Sequence, residues 1–136
     1  MRFSLRSGKA PESGEGRHES SRLIESERFA GVRYRIARIS FGRRTELIRR
    51  IRDLARQMDY HSAGETVQDK IEAVLLGREI ERLYVDWALM DIEGLRIDGE
   101  PATPSTLIDR GPEELVREIS RAIQSECSLS EEERKN

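Results

Sequence analysis

The spacing of hydrophobic residues changes along this 136-residue chain, and each spacing predicts a different structural element. Over residues 32–37 apolar and polar residues alternate, which is typical of a strand with one buried face, and Arg33 and Arg35 occupy its polar face. A second alternation over residues 95–97 predicts a short strand beside a turn. The two strands could pair with each other.

Longer segments have the periodicity of amphipathic helices. The first is predicted from Thr45, its expected N-cap, to about residue 60, and the second from about residue 66 to residue 90. A third follows a short helical turn and begins at Pro112, because proline suits the first position of a helix. Its predicted buried stripe is Leu115, Val116, Ile119, Ala122 and Ile123. These elements predict a small, mainly helical α+β domain over residues 29–127, with three main helices and a short two-stranded element.

The helix predicted over residues 66–90 has apolar side chains on two nearly opposite faces. One explanation is that the helix lies in the middle of the domain, with other elements packed on both sides. The alternative is that one face binds another protein. Aromatic residues and Met are enriched in interface cores, and they favour the face that contains Trp87. The residues predicted to contact a partner are Leu76, Ile80, Leu83, Tyr84, Trp87 and Met90.

Both ends of the chain are predicted to lie outside the domain. Residues 1–28 have few aliphatic side chains, so they are expected to form a polar, mobile arm. Residues 128–136 form a charged tail, in which Ser128 and Ser130 each precede a Glu by three residues, as in a capping box. Because too few residues follow to complete a helix, we expect this tail to order only against a partner or in a longer product.

The 24 basic and 26 acidic residues nearly cancel, but they are unevenly distributed. Residues 1–60 hold 15 basic and 8 acidic side chains, and residues 61–136 hold 9 and 18. The asymmetry suggests an anionic partner, attraction between copies in a homo-oligomer, or pairing of the two halves within one fold. The pI of about 5.8 and the scarcity of aromatic residues argue against nucleic acid as the partner. A basic patch is predicted at Arg33, Arg35, Arg49, Arg52 and Arg56.

Few side chains suit catalysis or metal binding. The single cysteine, Cys127, excludes a disulfide framework within the chain, and neither histidine lies in a recognisable catalytic motif. The acidic segment that begins at Asp91 has Arg96 where a calcium loop needs glycine. We therefore predict a non-enzymatic protein without a cofactor or a metal. No apolar run approaches the length of a membrane span and no signal-peptide pattern is present, so the expected location is the cytoplasm.

Several short segments carry a resemblance to a known family. They are residues 38–44 (RISFGRR), 83–87 (LYVDW) with 92–95 (IEGL), 97–103 (IDGEPAT), 111–115 (GPEEL) and 129–136 (LSEEERKN). Together they resemble small phage and prophage proteins associated with tail genes and, more loosely, the tail assembly chaperones. The resemblance covers about residues 30–136 and includes no catalytic motif.

The resemblance implies a phage tail assembly chaperone or adaptor that binds the tape measure and tail tube proteins in the cytoplasm of the bacterial host. It also implies a longer form made by translational frameshifting, which would suit the short C-terminal tail. Two alternatives stay open, a minor structural protein of the phage particle and a small nucleic-acid-binding accessory protein. Persistence in purified virions would separate the first alternative from a chaperone, and salt-sensitive DNA binding would favour the second.

Overall fold

The computed structural model describes residues 16–128, which form four helices and five strands. In chain order the elements are β1 (Ser21–Glu25), β2 (Arg33–Ala37), α1 (Phe41–Ala63), α2 (Val67–Ala88), β3 (Leu89–Glu93), β4 (Arg96–Ile97), β5 (Glu100–Pro101), α3 (Pro104–Arg110) and α4 (Glu113–Cys127). This architecture confirms the prediction of a mainly helical α+β domain. The short α3 adds a fourth helix to the three main ones predicted.

The strands form a three-stranded antiparallel sheet in the order β1-β2-β3 and a separate hairpin of β4 and β5. The predicted alternation in β2 is confirmed, because Tyr34 and Ile36 are buried while Arg33 is exposed. The predicted partner of β2 is wrong. The segment at residues 95–97 pairs with β5, and β2 pairs instead with β3, which begins inside the segment predicted as helix.

The boundary between α2 and β3 shows how tertiary pairing overrides local pattern. The helix ends at Ala88, and Leu89 already has an extended backbone, although neither Gly nor Pro marks the change. In β3 only Leu89 and Ile92 are buried, and β3 pairs along β2 through Glu93. Helical periodicity continued through Met90, so only the availability of the β2 edge decides where the helix stops.

The two long helices form an antiparallel hairpin with a short loop. Ser40, rather than the predicted Thr45, caps α1, since its side chain accepts a hydrogen bond from the Arg43 backbone N–H. Thr66 caps α2 in the same way by accepting from the Asp69 backbone N–H. The N-cap of the first helix therefore lies five residues earlier than predicted, and the last turns of α1 extend to Ala63.

The main core lies between the inner face of the sheet, α4 and one half of the α1–α2 hairpin. The predicted stripe of α4 is confirmed, with Leu115, Ile119 and Ile123 fully buried. The core cluster takes residues from α1 only up to Ile51 and from α2 only from Ile80 onward. Residues 52–79 of the hairpin therefore extend beyond this core.

The predicted mobile arm, residues 1–28, is wrong over residues 21–25, which form β1. Every residue of β1 pairs with β2, and Arg22 forms an ion pair with Glu126 of α4 at 3.0 Å. Most of β1 is exposed, so composition alone gave no sign that backbone pairing would order it. Residues 1–15 of the arm and residues 129–136 of the predicted tail lie outside the described residues.

Candidate functional site

The face predicted to bind a partner is largely covered within the fold. Leu76 and Tyr84 are buried, and Ile80 and Leu83 are half-buried against the core. Met90 is exposed, but it lies on β3 rather than on the helix. This packing supports the alternative of a helix with neighbours on both sides, while binding of a partner at the accessible parts of Trp87 and Met90 stays a prediction.

Trp87, the centre of that predicted face, is engaged by the first turns of α1. Its Nε1 donates a hydrogen bond to Glu46 Oε1 at 3.3 Å. The Arg43 guanidinium lies 4.3 Å from the centre of the Trp87 ring and also donates to the Trp87 carbonyl oxygen at 2.9 Å. A cation over an indole ring is attracted to it, so these contacts stabilise the packing of α1 against the end of α2.

The exposed apolar residues of α2 lie in its first half. Val67, Ile71, Val74 and Leu75 expose 73%, 50%, 61% and 53% of their surface, and we call these four residues the α2 stripe. At 100° per residue they fall within a narrow arc, since their spacings are four, three and one residues. These residues belong to the apolar set opposite the predicted partner face. A contiguous exposed aliphatic stripe is unusual on a monomeric protein and marks a candidate interaction site.

The stripe is exposed because the covering elements do not reach it. The third and fourth helices pack against α2 farther along the chain. Their boundary is visible in two exposed ion pairs, Arg78 to Glu113 at 3.2 Å and Arg82 to Asp109 at 4.0 Å. Within residues 16–128, both ion pairs lie at or after Arg78 on α2, whereas the α2 stripe ends at Leu75.

The end of the hairpin that carries the stripe is held by a polar cluster. His61 Nδ1 at the end of α1 lies 2.9 Å from Asp69 Oδ1, and the Thr66 hydroxyl donates to Asp69 Oδ2 at 2.8 Å. These two hydrogen bonds, first that of His61 and then that of Thr66, hold the pKa of Asp69 below its usual value. The cluster fixes the loop, so the stripe lies on a defined helical surface.

The predicted basic patch is interrupted by carboxylates on the sheet. Arg33 lies between Glu25 of β1 and Glu93 of β3 in the strand register and pairs with Glu93 at 2.6 Å. Arg35 has Asp91 beside it in the next row. The structure therefore favours the alternative in which the basic half of the chain is paired with the acidic half.

The other predicted basic residues lie on α1. Arg49 and Arg56 are exposed, and Arg52 is half-buried. Asp53 forms an ion pair with Arg56 at 3.2 Å. The five predicted arginines thus lie on two elements with acidic residues among them, an arrangement that gives little support to binding of a phosphate backbone.

A second polar cluster joins the β1–β2 hairpin to α4. The Glu118 carboxylate accepts hydrogen bonds from the Ser26 hydroxyl at 3.0 Å, the Tyr34 hydroxyl at 3.1 Å and the Glu27 backbone N–H at 3.3 Å. Burial, followed by the nearby Glu118 charge, raises the pKa of Tyr34 above its usual range. Each of these donors has a partner, so the cluster holds the β1–β2 hairpin against α4 and has a structural role.

The described residues show few features of a reactive site. Cys127 is buried, and burial raises the pKa of its thiol to about 11, which keeps it protonated and unreactive at neutral pH. Residues 16–128 contain no group of three or more His, Cys, Asp and Glu side chains placed to hold a metal ion. Over the same range, no helix combines the length and apolar character needed to cross a bilayer.

In comparisons with known proteins, no family model, curated protein or solved structure matched the chain. The candidate site is therefore defined by the geometry of the α2 stripe alone.

Proposed function

We propose that this protein is a non-enzymatic adaptor or assembly chaperone that binds another protein through the α2 stripe. The resemblance described above makes the tape measure and tail tube proteins of a phage the proposed partners. The observation that supports binding is the exposure of four aliphatic side chains on one face of a helix that is otherwise well packed. These side chains do not stabilise the fold while they are exposed to water. A partner that covers them would bind more tightly, because removing apolar surface from water lowers the free energy.

The position of the stripe suits a binding role. It lies on the part of the hairpin that contributes nothing to the main core, so covering it requires no rearrangement of the sheet or of α4. Both helices of the hairpin are capped and the loop is fixed by Asp69, so the surface is already formed before a partner arrives. A preformed surface binds at a lower entropic cost than one that must first be ordered.

The proposal is tested by mixing the purified protein with a phage tail tube subunit and with fragments of a tape measure protein from the same genome. Complex formation is measured by gel filtration with light scattering and by calorimetry. We expect a complex whose affinity falls at least tenfold in Val74→Ser, because a buried aliphatic anchor becomes polar. A matched control is Met90→Ser, since Met90 is similarly exposed but lies on β3.

The outcomes separate the two surfaces considered for binding. Loss of binding in Val74→Ser with normal binding in Met90→Ser supports the α2 stripe. The opposite pattern would return the site to the Trp87 side of the domain. Binding that neither substitution weakens would contradict the proposed role of both surfaces. Absence of the protein from purified virions is expected for a chaperone, and its presence would favour the structural-protein alternative.

A further inference from the structure

The edge of the α2 stripe carries two carboxylates without partners in the fold. Glu72 and Glu79 follow Ile71 and Arg78 in sequence, and at 100° per residue both lie on the same side of the stripe, two helical turns apart. Neither forms an ion pair or a side-chain hydrogen bond with any residue of the described range 16–128. Both retain contact with solvent.

Most other carboxylates of the helices have a cationic partner, although Glu81 of α2 also has none within residues 16–128. Glu46 of α1 and Asp86 of α2 pair with arginines one turn away, and Glu113 of α4 pairs with both Arg78 and Arg117. An arginine-rich chain thus supplies a cation to most acidic positions on its helices, but it supplies none at the edge of the exposed apolar stripe. This edge, Glu72 and Glu79, is called the acidic edge.

We propose that the α2 stripe binds a short amphipathic helix of another protein whose apolar face is bordered by lysine or arginine. This inference rests on the proposed function and specifies the chemistry of the partner. A helix lying along α2 would bury its apolar residues on the stripe and place basic side chains, seven residues apart, opposite Glu72 and Glu79.

The dimensions of the stripe favour a single helix over a second copy of this chain. From Val67 to Leu75 the stripe extends over about 12 Å, since an α-helix rises about 1.5 Å per residue. A stable interface between two folded proteins uses about 20–30 residues on each side. Lys70 borders the opposite side of the stripe, but a second copy paired antiparallel, stripe against stripe, would place its acidic edge against the acidic edge of the first.

The test uses two synthetic helical peptides of about 16 residues with the same apolar face, one bordered by lysines and the other by glutamates. Binding to the full chain is measured by calorimetry at low and at physiological salt. Exposed ion pairs contribute modestly, so we expect the lysine peptide to bind about fivefold more tightly, and the difference to shrink with salt. Val74→Ser should abolish the binding of both peptides.

A double variant isolates the acidic edge. Glu72→Gln with Glu79→Gln removes both charges with little change of shape, and we expect it to remove the preference for the lysine peptide. Glu100→Gln is the control, because Glu100 is exposed on β5. Both variants are checked for an unchanged unfolding midpoint before binding is compared.

Each outcome bears on a different claim. Equal affinity for the two peptides, lost in Val74→Ser, would overturn the basic partner and leave the stripe as a binding surface. A preference that persists in the double variant would show that another acidic surface selects the peptide, and would also overturn the inference. Self-association that Val74→Ser abolishes, without binding of either peptide, would make a second copy the occupant and would contradict both the inference and the proposed function.

Discussion

The two halves of α2 have similar apolar content but different surroundings. In the second half, Tyr84, Val85 and Ala88 are buried between α1 on one side and the sheet, α3 and α4 on the other. In the first half, the elements of residues 16–128 leave the α2 stripe open to solvent, while Leu76 on another face is buried. Apolar residues on two faces of a helix therefore require two neighbours, and where the fold supplies only one, the other face is available to a partner.

The largest expected difference between the halves is in stability. Ile119→Ala in α4 removes a fully buried side chain and should lower the free energy of unfolding by about 2–5 kcal/mol. Ile71→Ala in the α2 stripe removes a half-exposed one and should change it by no more than about 0.5 kcal/mol. Urea denaturation of the two variants measures this directly, because both make the same chemical change within a helix.

A similar loss of unfolding free energy in both variants would contradict this difference between the halves, since it would show that the stripe is covered in solution.

The thiol of Cys127 provides a second measurement. Because Cys127 of α4 is buried in the same core as Ile119, its alkylation should be slow in the wild type and faster in Ile119→Ala, but unchanged in Ile71→Ala.

A smaller effect on stability is expected for the polar contacts that join α4 to the β1–β2 hairpin. Glu118→Ala leaves the Tyr34 hydroxyl and the Ser26 hydroxyl without their acceptor and should lower the free energy of unfolding by about 1–3 kcal/mol. Tyr34→Phe removes only one of these donors and should cost less. Amide exchange should show β1 opening in Glu118→Ala, and an unchanged exchange rate there would show that backbone pairing alone holds the strand.

Much of the fold could be predicted from the sequence because its signals are local. The alternation around Tyr34 and the stripe at Leu115, Ile119 and Ile123 each depend on one element, and both are confirmed. The end of α2 and the pairing of β1 depend on contacts between distant segments, so local periodicity missed them.

The sequence did not indicate the proposed binding surface for a related reason. A helical projection of α2 shows two apolar faces but not how far the neighbouring helices extend along it. Aromatic residues favoured the face that contains Trp87, but the ring of Trp87 contacts Arg43 at the base of the α1–α2 hairpin. The aliphatic residues Val67 and Val74 lie beyond the reach of α3 and α4, and no pattern in the sequence marks that limit.

The contact between Arg43 and Trp87 should contribute about 1 kcal/mol at the junction of the two halves. Arg43→Met removes the cation over the ring and the hydrogen bond to the Trp87 carbonyl oxygen. Trp87 is the only tryptophan, so its fluorescence reports this site alone. We expect a changed emission spectrum and a lower urea midpoint, with Arg49→Met as the exposed control on the same helix. An unchanged spectrum and midpoint would show that the contact does not form in solution.

The smallest effect is expected at the loop of the hairpin, where stability should depend on pH through Asp69. Hydrogen bonds from His61 and Thr66 lower the pKa of Asp69 in the folded chain below the ordinary value for an aspartate, about 3.9. Its contribution to stability is therefore present above that value and is lost as the pH falls through the lower, folded pKa. Asp69→Asn should lower the unfolding midpoint at pH 6, and the gap to the wild type should narrow below about pH 4. Asp53→Asn is the matched control, since Asp53 forms an exposed pair with Arg56 on the same hairpin, and it should show a smaller gap at every pH. A gap for Asp69→Asn that stays constant or widens toward pH 2 would show that its ionisation does not stabilise the loop carrying the α2 stripe.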